Sequence, residues 1–314
     1  MNSPQSTPLP LPPRKAHKGL LREDLLVLRH ILNINHGLQA LDQNRLKTLN
    51  GLGLNLPDSK IKDLLIVSLD VENPNIAQLA KNGKYQVGLS ILDTRHLQSS
   101  ILNSHDLLQT YQFCIGPLKY CRDASRTFCF GQSKHIKLED LNSAIQNLIL
   151  KRDFILVVHG GKWDCRFLQA AKVDLTPLYV LDTQKAVQHP FDLDHRCTIE
   201  EMLNLLKCPF GHQVLHVAGN DANYTLRTLL LIATIDATAA NHLGYAQKSL
   251  LSALEEITRG PVPLNDRQIE AEARRQIEED RMRRRREKRA ARRLKEKIKR
   301  DREDDMDSET FIHD

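Results

Sequence analysis

Apolar residues recur along this chain with two different periods, and the switch between them marks out the elements. LLIVSLDVE, Leu64 to Glu72, is a short run of branched apolar residues that closes in carboxylates, as a strand buried on both faces does. YQVGLSILD, 85–93, predicts a second strand and residues 109–115 a third; the short connections make them antiparallel neighbours of the first. A loop, RTFCFGQSKHIK, leads to a helix over 138–150 with Leu138, Leu141, Ile145 and Leu148 on one stripe. FILVVHG, 154–160, predicts a fourth strand, a helix follows from about Asp164, and YVLDT, ending at Thr183, predicts a fifth strand. Thr198 has the chemistry of a helix N-cap, with Glu200 and Glu201 in the favourable first turn and the helix leading to Leu206. The last long helix of the domain starts near Gly219 and runs through DANYTLRTLLLIATIDATAA. Strands that alternate with helices after an opening run of strands predict an α/β three-layer domain with a mixed five-stranded sheet.

The flanks read differently. Residues 1–20 form a proline-rich lead with no apolar core segment, expected to be disordered and not a secretory signal. Residues 21–59 form a helical N-terminal extension, with Leu25, Leu28, Ile31 and Leu32 at helical spacing, expected to pack on the domain edge. The domain itself is expected over 60–258 and a charged tail over 259–314, comprising a basic helix over 266–300 and an acidic end over 301–314. The few apolar residues of the tail (Ile269, Ile277, Leu294, Ile298) keep no sustained heptad, so a long solvated helix is expected rather than a coiled coil.

Charge sharpens this division. The net charge of +6 conceals 15 Lys or Arg against 6 Asp or Glu in residues 271–300, and 7 acids against Arg302 alone in 301–314. The basic character therefore sits in the tail, while the globular part is close to balanced. The run RMRRRREKRAARRLKEKIKR, which contains Arg283, Arg284, Arg285, Arg286, Lys288 and Arg289, can neutralise phosphates, serve as a nuclear localisation signal, or form a solvated face; the acidic end can fold back on it and compete with nucleic acid. No stretch approaches the roughly 20 apolar residues of a membrane span, so no membrane partner is expected. Six cysteines without a signal segment read as reduced thiols, which points to the cytoplasm, the nucleus or both.

Four carboxylates fall where such a domain would gather them. Asp70 and Glu72 are two apart on a strand and leave the same face. Asp164 follows the fourth strand in HGGKWDCRFL, where Gly160 and Gly161 let the chain turn. Asp221 opens the last helix in HVAGNDANYTL. Grouped carboxylates repel unless a cation compensates them, and hard oxygen ligands suit Mg²⁺ or Mn²⁺. Two such ions about 4 Å apart serve phosphodiester hydrolysis, and His216, five residues before Asp221, is placed to take a proton from water.

These segments carry a resemblance. LDVE resembles the first motif of the DEDD exonuclease superfamily, HGGKWDCRFL its second, and HVAGNDA the third in its DEDDh form, in matching order and spacing. With SLDVE and the FGQS loop, LHVAGNDANYTLRTLL is most similar to a fungal group of exonuclease-like proteins related to the nuclease that interacts with the quelling Argonaute. The resemblance implies a ribonuclease H-like fold and 3′-to-5′ degradation of single-stranded RNA or DNA. It also implies two Mg²⁺ or Mn²⁺ ions on Asp70, Glu72, Asp164 and Asp221, with His216 as general base. Two positions depart from the pattern: Gly160 stands where Asn commonly follows the His, and Val217 where Asn is frequent. Each removes a side chain that could fix substrate or ligand geometry. A second reading, an exonuclease-fold adaptor that binds nucleic acid or an RNA-silencing or RNA-export partner without cutting, therefore stands beside the first.

Other residues have competing readings. His159 is expected to support the strand-end turn, and Asp93 and Asp182 to cap turns through hydrogen bonds to following amides. Trp163 can stack on a base or pack in the core. Cys197, Cys208 and His212, with His195 nearby, lack the close Cys pair of common zinc sites, and the two cysteines are read as small buried apolar residues.

Overall fold

The computed structural model describes residues 19–32, 63–79, 83–98, 107–211, 213–239 and 243–310. The rest of the proline-rich lead, the second part of the N-terminal extension, His212 and the last four residues of the acidic end lie outside the described residues. The chain divides into two compact units, 1–263 and 264–314.

In the first unit the central strand is β1 (Leu65–Glu72), which pairs antiparallel with β2 (Tyr85–Asp93); β2 pairs antiparallel with β3 (Leu108–Ile115). Strand β4 (Ser133–His135) lies parallel to β3, β5 (Phe154–Val158) parallel to β1, and β6 (Tyr179–Asp182) parallel to β5, giving the order β4-β3-β2-β1-β5-β6. The sheet is mixed, as expected, with one strand more than the five expected. Strand β4 sits inside the segment read as a loop; three residues, two of them exposed, carry no alternation from which a strand could be read.

Period two along β1 divides the molecule into layers. Leu65, Val67, Leu69 and Val71 face one core, built with Leu141, Ile145 and Ile149 and with Phe167 and Leu168. The helices in sequence are α1 (Glu23–Ile31), α2 (Leu118–Ser125), α3 (Leu141–Ile149), α4 (Lys162–Ala170), α5 (Thr183–Ala186), α6 (Ile199–Leu205), α7 (Ala218–Ala239) and α8 (Tyr245–Arg259), so this core belongs to α3 and α4. Ile66 faces the other core, shared with α1, α6, α7 and α8. The same alternation sends Asp70 and Glu72 to the α7 side.

Helix α7 is buried along nearly its whole circumference, which is why its sequence shows no polar face. Helix α8, which the sequence reading did not anticipate, covers it with the stripe Leu251, Leu254 and Ile257. Helix α1 differs from its expected place on the domain edge. Leu25, Leu26, Val27 and Leu28 are all buried in the α7-side core, and Arg29 binds Asp236 of α7 through two hydrogen bonds of 2.6 Å. Among the described residues no cysteine is in a disulfide, and no helix is long and apolar enough to cross a membrane.

The second unit is one helix, α9 (Asp266–Thr310). Ion pairs one turn apart line it, including Arg274–Glu270 at 3.6 Å, Arg283–Asp280 at 2.8 Å and Arg292–Glu296 at 2.9 Å, each worth only a few tenths of a kcal/mol. Ile269, Ile277, Leu294 and Ile298 are exposed. The backbone stays helical through Thr310, so residues 301–310 continue the helix of the basic segment.

Candidate active site

Three segments meet at one end of the sheet. Pairing of β1 with β5 ends at Ser68 and Val157, so Asp70, Val71 and Glu72 run on past their parallel neighbour. The free edge is taken up by α4: the Val71 backbone N–H donates to the Asp164 carboxylate. Gly160, at φ +68°, turns the chain from β5 toward this helix. From the opposite side comes α7. Gly88 of β2 is the Cα partner of Asp70, and a Cβ there would lie 2.0 Å from the Ala218 carbonyl oxygen. A Cβ on Gly219 would lie 2.5 Å from the Phe128 ring. Two glycines thus let the first turn of α7 rest on the sheet and bring Asp221 beside β1. Asn220 ties this turn to its surroundings, accepting from the Cys129 N–H at 2.9 Å and donating to the carbonyls of Thr127 at 3.0 Å and Val214 at 2.7 Å.

The resulting cup is strongly acidic. Burial, then the charges of Asp221, Asp164 and Glu72, hold the Asp70 pKa well above the usual carboxylate range. Burial also raises Glu72, with His216 acting the other way, and lifts Asp164 to about 6 despite its bond from Val71. Asp221 is raised by burial and by Glu72, although the His216 and Val217 amides oppose the shift. Two buried oxygens, Asp70 Oδ2 and Asp221 Oδ1, have no hydrogen-bond partner among the described residues. Four carboxylates driven toward their neutral forms, with two acceptor atoms unserved, fit a site that divalent cations complete.

His216 stands at the rim. Its side chain is 92% exposed, its backbone is left-handed at φ +62°, and its amide donates to Asp221 Oδ2 at 2.9 Å. Its Nδ1 lies 3.9 Å from Glu72 Oε1, and ligand-capable atoms of Glu72, His216 and Asp221 all lie within 4.8 Å of one another. The structure therefore brings Glu72, His216 and Asp221 into one group, and Asp70 interacts electrostatically with Asp221, Asp164 and Glu72.

A mixed sheet with helices on both faces and this acidic cup at the end of its central strand define a ribonuclease H-like domain of the DEDDh exonuclease class. The chain belongs to the family described as DNA polymerase III subunit epsilon-like, C-terminal domain (DEDDh_C), whose family model matches residues 65–232. Members of this class typically use divalent metal ions. No curated protein matches the chain.

The remaining candidates separate clearly. Trp163 is 57% exposed, with the Arg166 guanidinium 5.2 Å from its ring centre, so it is not core packing. His159 Nδ1 lies 2.9 Å from Thr183 Oγ1, and burial pushes its pKa down; it holds the end of β5. Asp182 accepts from the amides of Gly160 and Gln184, both at 3.0 Å, and Asp93 accepts from the Arg95 amide at 3.0 Å, so both cap turns. At Gly160 a Cβ would lie 2.8 Å from Gln184 Oε1, so that glutamine fills the space of the missing Asn. Cys197 and Cys208 are buried and turn to different partners, His195 Nε2 at 3.9 Å and the Thr258 carbonyl at 3.7 Å. Among the described residues they join no group of three metal-capable side chains. Arg283, Arg284, Arg285, Arg286, Lys288 and Arg289 are exposed on α9, in the second unit. Sequence reasoning missed Gly88, although a glycine inside an apolar strand signals close backbone approach. It also missed Gln86 and Gln112, for which the sequence carries no signal.

Proposed function

We propose that this protein is a metal-dependent 3′-to-5′ exonuclease that hydrolyses phosphodiester bonds of single-stranded nucleic acid. RNA is the first substrate to test, because of the resemblance to the fungal silencing-related group. The observation that carries the reading is the convergence of four carboxylates from three segments, with buried Asp70 Oδ2 and Asp221 Oδ1 left without donors among the described residues.

Asp70, Glu72, Asp164 and Asp221 would hold two Mg²⁺ or Mn²⁺ ions. Bound there, the ions would stabilise charge on the phosphoryl and leaving oxygens and acidify the attacking water. His216 reaches into solvent at the rim, where its imidazole would take a proton from the attacking water. Glu72 Oε1 lies 3.9 Å from its Nδ1. Trp163, adjacent to Asp164, offers an aromatic face to a base of any identity. The exposed cations of α9 add affinity for phosphates irrespective of sequence.

The test uses the full chain with 3′-labelled and 5′-labelled RNA and DNA oligonucleotides and Mg²⁺ or Mn²⁺. Stepwise shortening of the 5′-labelled strand and early release of the 3′ label are expected. Full-length substrate equal to that of an Asp70→Ala control would overturn the catalytic reading, and if the substrate is still bound, the adaptor reading takes its place.

A further inference from the structure

Helix α7 carries Asp221 but begins without a side-chain cap of its own: the residue before it is Val217, which has no acceptor. An uncapped first turn leaves backbone N–H groups unsatisfied, and a buried one is costly. Here the acceptors come from the sheet. Gln112 Oε1 of β3 receives the Gly219 N–H at 3.0 Å, and Gln86 Oε1 of β2 receives the Ala218 N–H at 3.4 Å. Both glutamines are buried, Gln112 to 1% exposure. Their register links them to the acidic pair: Asp70, Gly88 and Gln112 form one row across β1, β2 and β3, and Glu72 and Gln86 are partners in the next row but one.

Gln112 is itself held on its other side. Its Nε2 donates to Ser133 Oγ of β4 at 2.8 Å and lies 3.4 Å from the Ala124 carbonyl at the end of α2. The amide therefore has one orientation, with its oxygen toward α7. A rod of fixed length thus runs from β4 through Gln112 to Gly219, two residues before Asp221.

We propose that Gln112 is a positioning residue of the metal site: it clamps the first turn of α7 to the sheet and so fixes the spacing between Asp221 and Asp70. It touches neither substrate nor metal and acts through the Gly219 amide. The proposal rests on the metal-dependent reading above. Outer partners that orient ligating groups typically change metal affinity 10- to 100-fold when removed.

The experiment measures Mn²⁺ binding to the full-length protein by isothermal titration calorimetry, with no nucleic acid present. Gln112→Met keeps the length of the side chain and removes the acceptor; Gln112→Glu, in the neutral form that burial favours, keeps an acceptor for the Gly219 N–H and a donor on the Ser133 and Ala124 side. The Met variant is expected to bind Mn²⁺ about 10-fold more weakly, and its nuclease rate to recover toward wild type as Mn²⁺ is raised. The Glu variant is expected to stay within about threefold of wild type. Unchanged affinity in the Met variant, or equal weakening in both variants, overturns the proposal. Should the Met variant fail to fold, Ser133→Ala, which frees only the far side of Gln112, carries the same test with a smaller expected weakening, and no change in Mn²⁺ affinity overturns it. If the wild-type protein binds no Mn²⁺ at all, the metal reading itself falls, which is a different result from a wild type that binds and a Met variant that binds equally well.

Discussion

Gly88 and Asp70 face one another across β1 and β2, and the space where Gly88 lacks a side chain is occupied by the backbone of Ala218, the first residue of the helix that delivers Asp221. Cβ addition at Gly88 meets backbone atoms at 2.0–2.4 Å, and backbone cannot swing aside as a side chain end can. Gly88→Ala is therefore expected to lift the start of α7, costing about 1–3 kcal/mol of stability and weakening Mn²⁺ binding at least 10-fold. Urea denaturation with Mn²⁺ titration checks both; a variant with wild-type affinity would refute the close-approach account.

The acidic cup predicts a pH dependence of the metal-free protein. Asp164 titrates near 6 in the folded state, against about 3.9 in an unfolded chain, and Asp70 is shifted in the same direction. A carboxyl whose pKa rises on folding binds its proton more tightly when folded. Stability is then greatest below about pH 4 and is lost as pH rises through the folded pKa, by on the order of 2 kcal/mol for Asp164 alone. Asp93 works the other way: burial alone would raise it, but the bonds from Arg152 and Arg95 outweigh that and lower it, so its contribution fades only below about pH 4. Metal-free protein should thus melt lower at pH 7.5 than at pH 5, and Mg²⁺ or Mn²⁺ should restore most of the difference. Asp70→Asn should flatten the pH trend and abolish the metal-induced rise in Tm. Calorimetry at the two pH values decides, and a flat wild-type profile would contradict the electrostatic picture.

His216 separates chemistry from stability. Its side chain is almost wholly exposed, and its backbone amide, which holds Asp221 Oδ2, survives substitution. His216→Asn, a residue that tolerates the left-handed backbone, is expected to leave Tm unchanged and to lower the cleavage rate by about 10²- to 10⁴-fold. Rates within a few-fold of wild type would remove the imidazole from the mechanism.

Arg227 is a structural arginine of α7, buried without a carboxylate partner among the described residues. It donates to Asn223 Oδ1 at 2.9 Å and to the carbonyls of Thr258 at 3.1 Å and Gly260 at 2.8 Å, at the open C-terminal end of α8, where a cation is favoured. Arg227→Leu leaves those carbonyls unserved and is expected to destabilise the fold by about 2–4 kcal/mol, read by chemical denaturation. An unchanged midpoint would mean that α8 docks by its apolar stripe alone.

The basic segment of α9 predicts a salt signature. Replacing Arg283, Arg284, Arg285, Arg286, Lys288 and Arg289 with Gln should weaken binding of a single strand at low salt. It should also reduce the slope of log K against log salt by up to about 4. Fluorescence anisotropy over a salt series measures it, and an unaltered slope would free the segment from any role in binding.

How much of this was legible depends on the range of the interactions involved. The strand LLIVSLDVE and the common face of Asp70 and Glu72 follow from period two, a local rule. The capping box at Thr198 and Glu201 is equally local, and it forms. Helix α1 was harder, because helical spacing alone does not distinguish a helix at the edge from one set into the core, and Arg29 finds Asp236 only across 207 positions. Strand β4 exists because β3 offers an open edge, and nothing in SKH announces that.

The one-dimensional string determined the chemistry: which side chains are acidic, their order, and the local geometry that points each toward one end of a sheet. Tertiary structure alone decided how closely they meet. The spacing of Asp221 from Asp70 depends on a missing Cβ at Gly88, a clamp from Gln112 and the burial that drives four carboxylates toward neutrality. Contact and desolvation act between segments separated by more than a hundred residues, and neither has a sequence period to betray it.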